Sequence, residues 1–367
     1  MDWKKIFEAA AHPDLPVRRD WRIASAGAGF IVSDCQQVAY QKNGFRTYAI
    51  ASRRRENAER VAARFGIPKV YTTWEEMLED HAVEIVDIAL PPHVQVEVLK
   101  KCISEHKHIR GVLCQKPAAV DLQTLRGMIA LCRQSDVKVA VNQNMRYDQS
   151  MRALKLAVEQ GLLGTPVKVS IDMRARANFQ PFFREYGRLD ILDMGIHHID
   201  TLRWLFGMPQ KVTAFCRADP HLDYPHIDGL SHFVFQYEDG PLATVTDDNF
   251  AGAFPPCEQD LYIHWRVEGT EGTAMGAIGW PYFPDLVPST FRITSTHIPG
   301  GWLTPTWDTT WFPDAFSGTM GSLLRAVEGD TEPEISLIDH EDTMICVEAC
   351  YRSIEQGRTV STAEFMP

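Results

Sequence analysis

Several patterns that assign a chain to a specialised class are missing from these 367 residues. No apolar run approaches the length of about 20 residues that a membrane-spanning helix requires, so we expect no membrane partner. No dense basic patch is present and the net charge is −11, so we expect no nucleic-acid partner.

The eight cysteines form no Cys-x-x-Cys pair, which argues against a structural zinc site or a disulfide framework. Cys346 and Cys350 are four residues apart in a helical pattern, so we expect them to pack in a core. Cysteine usage of this kind favours a reducing compartment, and we expect a cytoplasmic protein.

The chain does have enough apolar content for two domains, because 45% of its residues are hydrophobic and 23% are charged. We predict three parts. They are an N-terminal extension (1–20) with a short amphipathic helix, a dinucleotide-binding domain (21–146) and a substrate-binding and oligomerisation domain (147–367).

Predicted strands and helices alternate along the second part, which is typical of a parallel sheet with right-handed crossovers. The pattern predicts an α/β fold with a doubly wound Rossmann sheet. The predicted strands are 21–26, 46–52, 69–71, 84–90, 110–114 and 137–141, and the predicted helices are 33–42, 56–65, 94–106 and 122–134, with a short helix opening at 73.

A glycine-rich turn follows the first predicted strand and reads Gly27-Ala28-Gly29-Phe30-Ile31-Val32. Gly27 permits the tight turn, and Gly29 lets a pyrophosphate approach the backbone where the next helix begins. Val32 replaces the third glycine of the usual fingerprint, so we expect the helix and strand to lie slightly further apart there. The alternative is an ordinary glycine-rich turn, and the strand–helix alternation argues against it.

The end of the second predicted strand indicates the cofactor. An NAD site usually places an acidic residue there to hold the ribose hydroxyls, but the segment 51–55 reads Ala-Ser-Arg-Arg-Arg. A guanidinium binds a phosphate well, so we predict NADP in preference to NAD, with Ser52 and Arg53 on its 2′-phosphate. The alternative is that these arginines only begin a solvated helix.

Two further motifs follow predicted strands, at the sheet edge where such folds bind ligands. Pro91-Pro92 follows the fourth strand, and Gln115-Lys116-Pro117 follows the fifth. A residue that precedes proline disfavours helix, so we expect Lys116 to be extended and to point into the ligand crevice.

The third part predicts an α+β domain with an open, largely antiparallel sheet and helices on one face. We expect one hairpin between 231–237 and 242–246 and another around 266–273. An open sheet face favours self-association, so we predict a homo-oligomer, either a dimer or a tetramer. The aromatic-rich segment 278–316 is predicted to pack in a core or an interface, with stacking on a sugar as the alternative.

Candidate acid–base chemistry lies in residues 190–206, which repeat apolar side chains at helical spacing, with Asp190 as the predicted N-cap. Asp193 and His197 are four residues apart and share one helix face within hydrogen-bond reach. A carboxylate beside an imidazole stabilises its charged form, as a general acid–base requires. The alternative is a surface Asp–His pair without a role.

Four other residues are candidates for contact with the substrate. Asn144, Arg146 and Tyr147 follow the last strand of the second part, and a structural role at the domain junction is the alternative. His198 is expected to pack or to contact a substrate hydroxyl. Because neighbouring helical residues point about 100° apart, His197 and His198 do not easily share an ion, and we predict no metal site.

Taken in order, these motifs resemble the Gfo/Idh/MocA family, which includes glucose–fructose oxidoreductase and inositol dehydrogenase. The resemblance covers roughly residues 20–360. Besides the glycine turn, Leu90-Pro91-Pro92-His93-Val94-Gln95 is similar to the family's Thr-Pro-Asn-x-x-His, and Gln115-Lys116-Pro117 to its Glu-Lys-Pro. The stretch from Asp193 to Asp200 is similar to its Asp-x-Gly-x-His-x-x-Asp. Gln95 stands where the family usually has histidine, and Gln115 where it has glutamate.

The resemblance implies that Lys116, Asp193 and His197 are catalytic and that the substrate is a sugar, a polyol or a related cyclic alcohol. It adds residues to the predicted cofactor site, which consists of Gly27, Gly29, Phe30, Ile31, Ser52, Arg53, Pro91, Gln95, Gln115 and Lys116. We predict reversible hydride transfer between nicotinamide and an alcohol or ketone. The alternatives are a redox-neutral elimination or epimerisation with tightly held NAD(P), and a non-enzymatic NADP-binding regulator.

Overall fold

The computed structural model describes residues 1–177, 180–253, 257 and 260–366. The chain forms two compact units, each assembled from separate segments. We call one the parallel-sheet unit; it holds Pro13–Asn144 and Phe312–Glu341. The other, the mixed-sheet unit, holds Met1–His12, Met145–Trp311 and the chain from Asp342 on.

These units differ from the three continuous parts that the sequence suggests. The expected extension 1–20 divides after His12, and the boundary near 146 lies two residues earlier. Residues 312–341, expected in the last part, belong to the parallel-sheet unit because their helix packs on its sheet.

The described part of the chain contains α-helices of 5 to 20 residues. They are α1 Trp3–Ala10, α2 Gln37–Lys42, α3 Arg55–Phe65, α4 Trp74–Leu78, α5 Pro92–Ser104, α6 Leu122–Cys132, α7 Gln149–Glu159, α8 Ile196–Phe206, α9 Ala315–Gly329 and α10 Leu337–Gln356. None of these described helices combines the length and the apolarity needed to cross a membrane.

The strands follow the same order along the chain. They are β1 Ile23–Ala26, β2 Thr47–Ala51, β3 Lys69–Tyr71, β4 Ile85–Ile88, β5 Gly111–Cys114, β6 Lys138–Val141, β7 Pro166–Arg174, β8 Lys211–Arg217, β9 Leu230–Gln236, β10 Leu242–Asp248, β11 Tyr262–Gly269, β12 Gly272–Ala277, β13 Thr290–Ser295, β14 Ile298–Leu303 and β15 Val360–Ser361.

The parallel-sheet unit contains a six-stranded sheet in the order β3-β2-β1-β4-β5-β6, with every neighbouring pair parallel. The predicted doubly wound fold is therefore confirmed. Its central strands are buried along their whole length, as expected for a parallel sheet covered on both faces. Helix α9 packs on β5 and β6, where Gly111 leaves room for Leu323 and Val327.

The mixed-sheet unit contains a nine-stranded sheet in the order β14-β13-β12-β11-β7-β10-β9-β8-β15. Strands β7 and β10 are parallel, and the remaining neighbours are antiparallel. The two predicted hairpins correspond to β9–β10 and β11–β12. Burial alternates along β9, where Phe233 and Phe235 are buried and His232 and Gln236 are exposed, so one face of the sheet is covered and the other is open.

Two π-helical segments occur in the described ranges, Ile31–Gln36 before α2 and Ile191–Gly195 before α8. The first directly follows the glycine turn, and the second contains Asp193. Wide turns of this kind occur frequently at functional sites. Asp190 occupies the N-cap position of the second segment, as predicted, but its side chain makes no capping hydrogen bond and instead accepts hydrogen bonds from Ser231 and Asn249.

Candidate active site

The glycine turn at the end of β1 is closely confined on one side. Gly27 has φ of 121°, a conformation that side-chain-bearing residues rarely adopt, and its N–H donates to the Ala51 carbonyl at 2.9 Å. A Cβ at this position would lie 2.4 Å from the Ala89 carbonyl oxygen. At Gly29 a Cβ would meet no atom within 4 Å, so the backbone there borders open space. This arrangement fits the close approach of a pyrophosphate.

The residues after the turn lead into the π-helical segment. Phe30 is exposed and Ile31 is half-buried, while Val32 is fully buried in a cluster with Ile50 and Val61. The side chain at the third glycine's position is thus accommodated as core. The expected wider spacing between helix and strand stays a prediction.

The segment after β2 presents cations and no acid. Ser52 is half-buried, with its N–H donating to the Tyr71 carbonyl at 3.2 Å, while Arg53, Arg54 and Arg55 are exposed. Arg55 pairs with Glu59 four residues along α3, whereas the described contacts include none from the Arg53 guanidinium. Arg53 is therefore available for a phosphate.

The loop after β5 carries Lys116, which is half-buried and precedes a cis peptide bond to Pro117. Gln95, in the first turns of α5, was predicted to bind the cofactor. The structure buries it completely and directs its amide at this loop: Oε1 accepts from the Gln115 N–H at 2.6 Å, and Nε2 donates to the Gln115 carbonyl at 2.9 Å. Contact of Gln95 with the cofactor stays a prediction. Pro91, just before α5, is half-buried.

Several buried amide atoms at the ends of β5 and β6 have no hydrogen-bond partner. They are Gln115 Nε2, Asn142 Oδ1, Gln143 Oε1 and Asn144 Oδ1. Unsatisfied buried polar atoms are rare, and the carboxyl ends of the strands in such sheets bind ligands. The donor and acceptor set therefore fits a polar ligand such as a nicotinamide cofactor.

In the mixed-sheet unit, Asp193 and His197 lie at the junction of the π-helical segment and α8. Asp193 is 4% exposed and His197 is 3% exposed, so the alternative of a surface pair does not describe them. The His197 ring meets the edge of the Trp311 ring at 5.6 Å and an interplanar angle of 89°. Trp311 is itself buried, as expected for core packing of the aromatic-rich segment.

Three of the four residues predicted to contact the substrate are buried against other side chains of the protein. His198 is fully buried, and its Nδ1 lies 2.8 Å from Asp247 Oδ1, in an ion-pair arrangement outside hydrogen-bond alignment. Arg146 is buried and makes two hydrogen bonds to Asp200. Tyr147 is buried beside the Arg152 guanidinium. These environments favour the packing alternative for His198 and the structural alternative for Arg146 and Tyr147, and contact of these residues with a substrate stays a prediction.

A buried carboxylate network that the sequence analysis missed holds the start of the π-helical segment. Asp228 accepts from the Leu189 and Ile191 N–H groups and from the Tyr351 hydroxyl at 2.8 to 2.9 Å. Burial raises the pKa of the Asp228 carboxyl, and burial together with the charges of Asp247 and Asp228 raises the pKa of Asp190 well above its usual range. No local sequence pattern predicts this network, because its residues lie far apart in the sequence.

Metal-ligating side chains do not assemble into a site in the described ranges. No group of three or more His, Cys, Asp or Glu residues there is placed to hold a metal ion.

Comparison with known proteins gives two family matches. Residues 21–143 match the model described as "Oxidoreductase family, NAD-binding Rossmann fold", and residues 151–275 match the "GFO/IDH/MocA C-terminal domain".

Individual relatives extend over most of the chain. D-apiose dehydrogenase of Paraburkholderia graminis is 26% identical over 351 residues, covering 92% of this chain and 88% of that protein. Myo-inositol 2-dehydrogenase of Thermotoga maritima is 31% identical over 323 residues, covering 86% and 91%. The structure of an oxidoreductase from Agrobacterium radiobacter in complex with NAD+, L-tartaric acid and magnesium is similar in fold, with a TM-score of 0.77, 23% identity and coverage of 95% and 100%.

Proposed function

Because the chain belongs to the Gfo/Idh/MocA oxidoreductase family, we propose that it transfers hydride between a nicotinamide cofactor and a secondary alcohol or ketone of a sugar, polyol or related cyclic substrate. The names of the D-apiose and myo-inositol dehydrogenases support this substrate class. The observation that carries the proposal is the burial of Asp193 and His197 together at a π-helical turn. Burial is one of the means by which active sites tune their acid and base groups, and π-helical turns occur frequently at functional sites.

We assign one role to each residue of the proposed catalytic set. In the oxidation direction, His197 takes the hydroxyl proton of the substrate, and Asp193 stabilises the resulting imidazolium. Lys116 donates a hydrogen bond to the same substrate oxygen and stabilises its developing negative charge. When bound, the nicotinamide supplies or accepts the hydride.

We further propose NADP as the preferred cofactor, with Ser52 and Arg53 on its 2′-phosphate. The exposed Arg53 and the absence of an acid in residues 51–55 support this preference. The backbone at Gly29, Phe30 and Ile31 would receive the pyrophosphate, since helix N-termini offer unpaired N–H groups to anions, and Gly27 would form the tight turn that leads to it. Pro91, Gln115 and Asn144 are proposed to border the nicotinamide and the substrate.

A test of the proposed function begins with thermal shifts of the purified protein with NADP+, NADPH, NAD+ and NADH, because ligands that bind the folded state raise its melting temperature. Turnover is then followed by cofactor absorbance with aldoses and cyclitols, including D-apiose and myo-inositol. We expect His197→Ala and Lys116→Met each to lower kcat by about 100-fold or more.

The matched controls are His12→Ala and Lys107→Met, which change exposed residues of the same two types. Both controls are expected to retain wild-type turnover. Wild-type rates in both His197→Ala and Lys116→Met would refute the assigned roles. Cofactor that stays bound through dialysis, together with product formation without net NAD(P)H change, would favour the redox-neutral alternative instead.

We also propose a homo-oligomer in the cytoplasm. The open face of the mixed sheet exposes Phe215, at 67%, and Leu242, at 52%, and an open sheet face favours self-association. All eight cysteines are unpaired, which fits a reducing compartment. Size-exclusion chromatography with light scattering tests the assembly, since a monomer has a mass of 41.5 kDa.

A further inference from the structure

We propose that Gln95 is a positioning residue that fixes the main chain on both sides of Lys116. The inference rests on the proposed function, because it assigns Gln95 a purpose only if Lys116 acts in the reaction. It goes further in identifying what holds the lysine in place.

The geometry of the Gln95 amide carries the inference. Oε1 accepts from the Gln115 N–H at 2.6 Å, and Nε2 donates to the Gln115 carbonyl at 2.9 Å. The same Nε2 lies 3.2 Å from the Pro117 carbonyl and 3.3 Å from that of Ala118. One fully buried side chain therefore contacts the residue before Lys116 and the two residues after it.

The paired bonds to Gln115 replace what a neighbouring strand supplies. Strand β5 ends at Cys114, and the exchange of one N–H and one carbonyl with the Gln95 amide reproduces a two-way ladder contact just beyond that end. The side chain of α5 thus extends the ordered main chain to Lys116.

The contacts suit an amide at this position. Glutamine offers an acceptor and two N–H donors at once, whereas a neutral imidazole offers one donor and one acceptor. The loop presents one N–H and three carbonyls, so a histidine would leave more of these groups unpaired.

Two other side chains hold the same loop from different elements. His340 Nε2, in α10, lies 3.5 Å from the Ala118 nitrogen, and Asn142 Nδ2, after β6, donates to Gln115 Oε1 at 3.2 Å. With Gln95, they support the loop before and after the lysine. Displacing a catalytic group by about 1 Å can lower the reaction rate by a factor of about 100. Holding this loop in place therefore affects catalysis if Lys116 acts in the reaction.

The test is a double-mutant cycle in the full-length protein. Gln95→Met keeps the side-chain length and removes its polar atoms, while Gln123→Met makes the same change at an exposed position on α6. We expect Gln95→Met to lower kcat by about 10- to 100-fold, with a change in cofactor KM below about threefold. Gln123→Met is expected to match the wild type.

In a Lys116→Met background, Gln95→Met is expected to lower kcat by less than about twofold. The effects of two substitutions are not additive when one residue acts through the other. Equal losses from Gln95→Met with and without Lys116 would overturn the inference. If Lys116→Met alone leaves turnover unchanged, the proposed function fails first. Hydrogen exchange then still tests the contact, because the Gln115 amide, whose N–H donates to Gln95, should exchange faster in Gln95→Met and not in Gln123→Met.

Gln95→Glu provides a second variant with a readout that a general loss of stability does not produce. A protonated carboxyl retains one donor and one acceptor, whereas a carboxylate faces three carbonyl oxygens. With the protein verified as folded by circular dichroism at each pH, the ratio of its kcat to that of the wild type should rise as pH falls. A ratio independent of pH between 5 and 8 would contradict the positioning role.

Discussion

Replacing Arg146 by methionine removes the cation from a buried ion pair and leaves the Asp200 carboxylate without its main partner. In the wild type, Arg146 Nε and Nη2 each lie 2.6 Å from an oxygen of Asp200, and the two side chains are 2% and 1% exposed. Burial disfavours the ionised carboxyl, but the charge and hydrogen bonds of Arg146 hold the pKa of Asp200 below its usual range. The Thr343 hydroxyl also donates to Asp200, at 2.8 Å.

The expected loss is large because one charge remains buried. Removing one partner of such a pair costs roughly 3–5 kcal/mol, whereas replacing both by apolar residues is often close to neutral. We therefore expect Arg146→Met to lower the free energy of unfolding by about 3–5 kcal/mol at pH 7. The double variant Arg146→Met/Asp200→Leu should recover most of this free energy of unfolding, except for the contribution of the hydrogen bond from Thr343 to Asp200.

The direction in which stability changes with pH provides a second, independent test of the ion pair. The lowered pKa of Asp200 means that its stabilisation is present above the unfolded value of about 3.9 and is lost as pH falls through the folded value. In Arg146→Met, burial without the cation raises the pKa of Asp200 instead, so the variant should gain stability relative to the wild type as pH falls from 7 to 5.

Urea unfolding followed by circular dichroism at pH 5 and pH 7 measures both effects. Arg55→Met is the matched control, because the Arg55–Glu59 pair is exposed and should contribute less than about 1 kcal/mol. A loss below about 1 kcal/mol in Arg146→Met, or a double variant no more stable than the single one, would refute the reasoning.

Three further changes test other parts of the structure. Arg53→Glu should raise the Kd for NADPH by about 10- to 100-fold and leave that for NADH within about threefold, by fluorescence titration; equal losses would exclude a 2′-phosphate contact. Gly27→Ala should lower the free energy of unfolding by about 2 kcal/mol or more, because of the contact with Ala89 and the positive φ. Gly29→Ala should lower it by less than about 1 kcal/mol in urea unfolding, and equal losses would contradict the confined turn. Burial raises the pKa of Asp87 to about 7, so the folded state binds a proton more tightly than the unfolded state. The contribution of Asp87 to stability should therefore fall from pH 4 to pH 7, so thermal melting of Asp87→Asn over this range should lack that part of the wild-type slope; equal slopes in the two proteins would refute this.

The fold was largely predictable where local patterns and final structure agree. Apolar runs between glycine and proline signals located β1 to β6, and turn signals between strand-like runs located the two hairpins. Helix α9 was missed because its sequence contains Gly318, Gly321 and Gly329 together with serine and threonine, which favour helix weakly. Its packing on β5 depends on Gly111, 200 residues earlier, so tertiary contacts overrode a weak local signal.

In the candidate site, too, local motifs could be predicted and contacts between residues distant in sequence could not. The confined turn at Gly27 could be inferred from a short motif, because a positive φ selects glycine directly. The contact of Gln95 with Gln115 joins residues 20 positions apart, and Asp228 bonds main-chain groups nearly 40 positions before it. A side chain that satisfies a distant backbone group leaves no periodic trace, since neither its spacing nor its type is fixed by its neighbours in sequence. The motifs therefore located the groups proposed to act on a ligand, and only the fold could reveal the groups that hold the loop and helix carrying them.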